Sequence, residues 1–108
     1  MSEAIMKELV SGILKAAEEK IIEIILYGST ARGTNDKDSD IDIALLTKDT
    51  LTAKELDSLS DFIVDMNLKY DRVFSVIDVP NKQYQVWKDL VPCYKNVTLE
   101  GIRLWKAA

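Results

Sequence analysis

The fold is decided by residues 21–46, which read IIEIILYGSTARGTNDKDSDIDIALL. Ile21–Tyr27 is a short isoleucine-rich run, apolar on both faces but for one glutamate, which predicts a buried strand ending in a turn at Gly28 and Ser29. The polar residues Thr34–Ser39 predict a loop. The strand signal then resumes at Ile41–Leu46, so the sequence predicts two strands joined by a polar loop.

The flanking sequence predicts helices on both sides of this strand pair and one further strand. Apolar residues recur at helical spacing over residues 3–19 and 53–69, and Thr52 is placed to cap the second of these helices. The element order α-β-β-α-β-α-α predicts an α/β (α+β) fold, in which helices pack on a small mixed sheet of three strands. The remaining predicted elements are a third strand at Arg72–Val79 stopped by Pro80, a short helix capped by Asn81, and a final helix at Asn96–Trp105.

Length and composition limit the classes of protein that this chain can represent. Its 108 residues predict one domain, residues 1–108, and its net charge of -4 argues against a surface that binds nucleic acid generally. Without histidine and with Cys93 as the single cysteine, the chain has neither Ser-His nor Cys-His catalysis, and no internal disulfide. No apolar run approaches the roughly 20 residues that span a bilayer, and no signal peptide is recognisable, so we expect a cytoplasmic protein that is not bound to a membrane.

Gly28 and Ser29 directly follow the first predicted strand and form the first candidate site. Glycine allows a sharp backbone turn and lets a ligand approach the main chain closely. If residues 30–32 open a helical turn, their N–H groups and the Ser29 hydroxyl are suited to binding phosphate oxygens. A glycine after a strand is in most proteins simply a turn, so this feature alone predicts little.

Asp40 and Asp42 stand at the head of the second predicted strand and form the second candidate site. Side chains two residues apart on a strand lie on the same face, so the two carboxylates project together. A divalent cation such as Mg²⁺ relieves their repulsion, since it binds carboxylate oxygens of a protein and phosphate oxygens of a nucleotide. The alternative is that one aspartate caps the loop while the other points to solvent, which is the commoner situation for an isolated D-x-D motif.

Two other phosphate and metal motifs begin in this stretch, and neither is complete. A P-loop is excluded because Thr34 replaces the lysine that must follow Gly33. A calcium-binding EF-hand loop is excluded because Ile41 stands where its glycine belongs and Thr47 stands where its glutamate belongs.

The combined string GSTARG at Gly28–Gly33 and SDIDI at Ser39–Ile43 resembles a known family signature. It is the signature of the DNA polymerase β-like nucleotidyltransferase superfamily, and especially of its minimal nucleotidyltransferase branch. The match is continuous over Gly28–Leu45, while the closing segment around Gly101 is similar to the same family only weakly. The resemblance implies a nucleotidyltransferase fold.

The resemblance also implies roles for the candidate residues. Gly28 and Ser29 would hold the triphosphate of a nucleotide, assisted by the charge of Arg32. Asp40 and Asp42 would bind Mg²⁺, as two ions, while a hydroxyl attacks the α-phosphorus and pyrophosphate leaves.

A third carboxylate on the neighbouring strand belongs to the family pattern, as a catalytic and metal-binding residue. Two aspartates are candidates, Asp71 at the entrance to the third predicted strand and Asp78 at its end. Asp71 is preferred, because members of the family usually place this residue at the strand entrance. If neither aspartate occupies the position of the third carboxylate, the domain would bind a nucleotide without transferring its nucleoside monophosphate.

We therefore predict an enzyme that transfers a nucleoside monophosphate to a hydroxyl of a protein or small molecule. The preferred donor is ATP, from which AMP would be transferred. The alternative is a nucleotide-binding or partner-docking module without transferase activity. Minimal nucleotidyltransferases are commonly paired with a helical HEPN-domain protein in toxin–antitoxin-like modules, so the resemblance implies such a partner, or else a homodimer. C-terminal apolar side chains would form the contact surface, unless they only cover the sheet: Tyr94, Leu99, Ile102, Leu104 and Trp105.

Overall fold

A computed structural model describes residues 3–28, 31 and 40–108 of the chain. It confirms the predicted α+β architecture, and no helix in the described ranges is long and apolar enough to cross a membrane. The elements in chain order are α1 (Glu3–Ala17), a short 3-10 helix (Glu18–Lys20), β1 (Ile21–Tyr27), β2 (Ile41–Thr47), α2 (Ala53–Tyr70), β3 (Phe74–Pro80), α3 (Asn81–Trp87), α4 (Pro92–Glu100) and β4 (Ile102–Lys106).

Within the described ranges, the sheet has four strands in the order β3-β2-β1-β4. Strand β1 is antiparallel to both β2 and β4, whereas β2 is parallel to β3. The two strands that flank the polar loop are therefore the central pair, which explains why both are apolar on both faces. On β2, Ile41, Ile43 and Leu45 are fully buried, and Ala44 and Leu46 on the opposite face are almost as deeply buried.

Helices cover both faces of the sheet. On one face, α1 and α2 pack Leu9, Ile13 and Met66 against the core side chains of β1 and β2. On the other face, α3 and α4 contribute Tyr84 and Val97, which pack in a second cluster with the opposite side chains of the same strands. We refer to these as the α1–α2 face and the α3–α4 face.

The predicted final helix at Asn96–Trp105 is wrong. Helix α4 ends at Glu100, where the Gly101 N–H donates to the Val97 carbonyl at 3.0 Å, and the next five residues form β4. The segment I-R-L-W-K pairs with β1, which satisfies its backbone groups and turns Leu104 and Trp105 onto the core. The structure therefore adds β4 to the three strands that were predicted.

Two smaller boundary predictions also change in the structure. The third strand is Phe74–Pro80 and not Arg72–Val79, and Pro80 is tolerated in it because β3 is an edge strand. Asn81 was predicted to cap the following helix, but it is the first residue of α3. The N-cap is Pro80, which makes no side-chain capping bond.

Thr52 caps α2 as predicted, in a complete capping box. The Thr52 hydroxyl accepts from the Glu55 N–H at 3.1 Å, and Glu55 Oε1 accepts from the Thr52 N–H at 2.8 Å. Lys20 Nζ lies 3.1 Å from the same glutamate oxygen, which ties the start of α2 to the residue before β1.

Replacing Thr52 by alanine is expected to lower the free energy of unfolding by about 1 kcal/mol, because the cap hydrogen bond is lost. Chemical denaturation followed by circular dichroism measures this difference. Thr50→Ala is the matched control, since the bonds of Thr50 use its backbone N–H and carbonyl, which alanine keeps. Equal unfolding midpoints for the two variants would contradict a stabilising role for the cap.

Candidate functional site

The candidate site lies at one edge of the sheet, where β1 ends and β2 and β3 begin. Because β1 and β2 are antiparallel, the last residue of β1, Tyr27, pairs with Asp42 near the start of β2. Because β2 and β3 are parallel, their first residues also pair, Ile41 with Phe74. Three strand ends and the turn at Gly28 therefore meet at this edge.

Gly28 is a turn residue that also touches Asp42. Its φ of 74° lies in the left-handed region, which residues with a side chain rarely adopt. A Cβ at this position would lie 2.5 Å from Asp42 Oδ2 and 3.4 Å from its Cγ, closer than packing allows. Glycine is therefore required here twice, by the backbone conformation and by the carboxylate beside it.

Asp40 and Asp42 lie at the entrance to β2, and they differ in exposure. Asp40 is exposed just before the strand, whereas Asp42 is partly buried within it. Asp42 shares the α3–α4 face with Ala44, because Ile41 and Ile43, which alternate with them along β2, point to the α1–α2 face. The Ile41 N–H donates to the Val73 carbonyl at 2.8 Å, which fixes the start of β2 against the entrance to β3.

Asp71 lies in the turn that leads from α2 into β3. It is exposed and left-handed, with a φ of 51°, and its N–H donates to the carbonyl of Asn67. The Asn67 side chain in turn accepts from the Phe74 N–H at 2.8 Å, so this asparagine shapes the connection. Across residues 3–28, 31 and 40–108, no three acidic, cysteine or histidine side chains are grouped closely enough to hold a metal ion. The structure thus does not bring Asp71 together with Asp40 and Asp42, and its role stays a prediction.

Asp78, the other candidate for the third carboxylate, lies on the opposite face of the sheet from Asp42. It shares its strand face with Phe74 and Val76 and lines a groove between β3 and α2. Val79 beside it faces the α3–α4 cluster. Strand alternation therefore turns Asp78 away from the edge where Asp42 lies.

Ser75 is the β3 residue that pairs with Asp42, and the sequence analysis did not identify it. It shares the α3–α4 face with Ile77 and Val79, the face on which Asp42 also lies. The signal in the sequence is a single small polar residue within the apolar run V-F-S-V-I. Only the register between β2 and β3 shows that this serine lies beside Asp42.

Tyr27 flanks Asp42 on the β1 side and was also missed. Its hydroxyl is 3.4 Å from Cys93 Sγ on α4, and its side chain is buried. Burial, the bond to Cys93 and the nearby charge of Asp42 together raise the pKa of Tyr27 far above its usual range, burial contributing most. Tyr27 is therefore a neutral phenol at any physiological pH.

Ser29 and Arg32, which were predicted to bind the triphosphate, lie outside the described residues. Their roles rest on the sequence alone. Of the predicted phosphate-binding residues, Gly28 is the one that the described coordinates place in contact with Asp42.

The C-terminal apolar residues divide into covered and exposed side chains. Leu104 and Trp105 pack against the core, and Tyr94 packs in the α3–α4 cluster, where it accepts a hydrogen bond from Gln83 at 2.8 Å. Leu99 is 81% exposed and Ile102 is 47% exposed. The predicted contact surface is thus reduced to the end of α4 and the start of β4.

Comparisons with known proteins place this chain in a family. Residues 7–105 match the family model described as a nucleotidyltransferase domain. The chain is 37% identical over 73 residues to the "putative protein adenylyltransferase" of Methanocaldococcus jannaschii, an alignment that covers 68% of this chain and 74% of that protein.

Solved structures share the fold. A crystal structure of a toxin–antitoxin with AMP-PNP contains a chain that matches at a TM-score of 0.64 and 23% identity, over 94% of this chain and 73% of that one. A structure of the tri-AMPylated HEPN toxin of Shewanella oneidensis in complex with MNT antitoxin matches at a TM-score of 0.53 and 21% identity, again over 94% and 73%. At these identities the likeness is one of fold.

Proposed function

Since this chain belongs to the nucleotidyltransferase domain family, we propose that it transfers AMP from ATP to a hydroxyl of a protein. The observation that carries the proposal is the contact between the turn at Gly28 and the carboxylate of Asp42, beside Asp40 at the same sheet edge. This arrangement places a backbone position without a side chain beside two aspartates at one strand entrance, and these are the two components that a metal–triphosphate complex requires.

The donor set at this edge fits Mg²⁺. Asp40 and Asp42 offer carboxylate oxygens, and the Asp42 carboxylate lies directly beside Gly28, where a Cβ would be 2.5 Å from Oδ2. When bound, Mg²⁺ would neutralise phosphate charge and help pyrophosphate to leave. Asp40 and Asp42 would hold the ion, Gly28 and Ser29 would receive the triphosphate, and the charge of Arg32 would assist them.

The proposed acceptor is a hydroxyl on a HEPN-type protein, to which this chain would be the antitoxin-like partner. Two similar proteins support this choice, one named a "putative protein adenylyltransferase" and the other in a complex that holds a tri-AMPylated HEPN toxin. The exposed Leu99 and Ile102 are the proposed contact residues. We place the module in the cytoplasm, consistent with one free cysteine and the lack of a membrane-spanning helix among the described residues.

A second candidate function is a nucleotide-binding or docking module that does not transfer AMP, acting with a partner or as a homodimer. One observation favours it: Asp71 does not join Asp40 and Asp42 in a group of three acidic side chains within the described residues. The site would then lack the third carboxylate that the family resemblance implies.

ATP labelled at either the α- or the γ-phosphate separates the two functions. The chain is incubated with Mg²⁺, the labelled ATP and a HEPN-domain protein from the same organism, followed by gel autoradiography and mass spectrometry. Transfer of the α-label, with a mass gain of one AMP and no transfer of the γ-label, is expected. Binding of AMP-PNP without any transfer of the α-label would favour the docking module instead.

A further inference from the structure

Asp42 has one neighbour on each adjoining strand, and neither is an acid. On β1 the paired residue is Tyr27, whose hydroxyl contacts Cys93. On β3 the paired residue is Ser75, which shares the face of Asp42. Neighbouring strands lie roughly 4.8 Å apart, so a side chain at position 75 starts within reach of any ion that Asp42 binds.

The charge that the described residues bring to this edge is sufficient for one divalent cation and not for two. Among residues 3–28, 31 and 40–108, Asp40 and Asp42 supply two negative charges there. Two divalent cations in one site lie about 4 Å apart and repel strongly, so the second needs anionic protein ligands of its own. Asp71 is held in the turn after α2, and Asp78 lies on the other face of the sheet.

We propose that residue 75 sets the number of divalent cations in this site, and that Ser75 limits it to the one that enters with the nucleotide. A serine hydroxyl is neutral and cannot offset the repulsion between two cations. An aspartate at the same position would face Asp42 across the strand pair and provide the missing charge. This inference rests on the proposed nucleotide site and replaces the expected two ions with one.

Manganese counting tests the inference without relying on activity. The full chain is dialysed to equilibrium with Mn²⁺ and saturating AMP-PNP, and bound Mn²⁺ is counted per chain by electron paramagnetic resonance. The wild-type chain is expected to bind one Mn²⁺, and Ser75→Asp is expected to bind two. Ser75→Asn is the matched control, because it adds the same bulk without charge, and it should still bind one.

Two results would overturn the inference. The first is a wild-type chain that binds two Mn²⁺ with AMP-PNP, and a fall to one in Asp71→Asn would then identify Asp71 as the third ligand. The second is a Ser75→Asp chain that folds like the wild type by circular dichroism and still binds one. If Ser75→Asp does not fold, the wild-type count decides alone.

Failure of the proposed function gives a different pattern. A wild-type chain that binds neither AMP-PNP nor Mn²⁺ removes the nucleotide site and this inference with it. A chain that binds AMP-PNP and one Mn²⁺ but transfers no AMP removes only the transfer. In that case the count of one ion still stands.

Discussion

Replacing Asp40 and Asp42 together by asparagine is expected to lower the affinity for ATP in the presence of Mg²⁺ by roughly 100-fold or more. Even residues that only support metal ligands typically contribute 10–100-fold in metal affinity, so loss of two direct ligands should exceed that range. Asparagine keeps the shape of both side chains, and neither residue belongs to the apolar core, so the fold should persist. Isothermal titration calorimetry with AMP-PNP, with and without Mg²⁺, measures the change.

Asp78→Asn is the matched control for this double variant. It also removes an aspartate next to a core strand, but its side chain lies on the α1–α2 face, away from the candidate site. Its affinity should equal that of the wild-type chain. Unchanged binding in the Asp40 and Asp42 double variant, or an equal loss in Asp78→Asn, would refute the proposed position of the metal.

Substitution of Gly28 by valine is expected to abolish measurable nucleotide binding. The left-handed φ of 74° costs a residue with a side chain roughly 1–2 kcal/mol, and more when it is β-branched. A Cβ would also lie 2.5 Å from Asp42 Oδ2, so the carboxylate has to move from its place beside the turn. Fluorescence titration with a labelled ATP analogue measures the affinity, and thermal unfolding measures the accompanying loss of stability.

Gly12→Ala separates the loss of the site from the loss of stability. A Cβ at Gly12 would lie 2.0 Å from Phe62 Cζ, so this variant should also be destabilised, through the contact between α1 and α2. That contact is distant from Gly28 in the fold, and nucleotide affinity should remain at the wild-type level. Retained binding in Gly28→Val would show that the turn is structural only.

Local sequence patterns were sufficient to predict the structural features that depend on neighbouring residues. The N-cap at Thr52 follows from a hydroxyl residue that directly precedes the helical apolar pattern, and the structure contains its hydrogen bond to the Glu55 N–H. The buried strand Ile21–Tyr27 follows from a β-branched run that ends at a glycine, and its bounds agree with β1. The placement of Asp42 at the head of β2 follows from the alternation of aspartate and isoleucine.

Features that depend on strand pairing could not be predicted in the same way. The segment after Gly101 has apolar residues that fit either a helix or a strand, and its pairing with β1 decides for the strand. The preference for Asp71 over Asp78 rests on the family resemblance alone, whereas the register of β3 turns Asp78 to the far face and puts Ser75 beside Asp42. Register is a property of two distant segments, so no inspection of one segment reveals it.

The most direct test of the account is to locate a bound Mn²⁺–AMP-PNP complex by paramagnetic broadening of backbone amide signals in the isotopically labelled chain. We expect the strongest broadening at Gly28, Ile41, Asp42 and Ser75, which share one edge of the sheet, and weaker broadening at Asp78, roughly 10 Å further along β3, and along α1. Broadening centred on the cleft between α1 and α2, near Glu8 and Phe62, would contradict it. So would a spectrum that Mn²⁺ and AMP-PNP together leave unchanged.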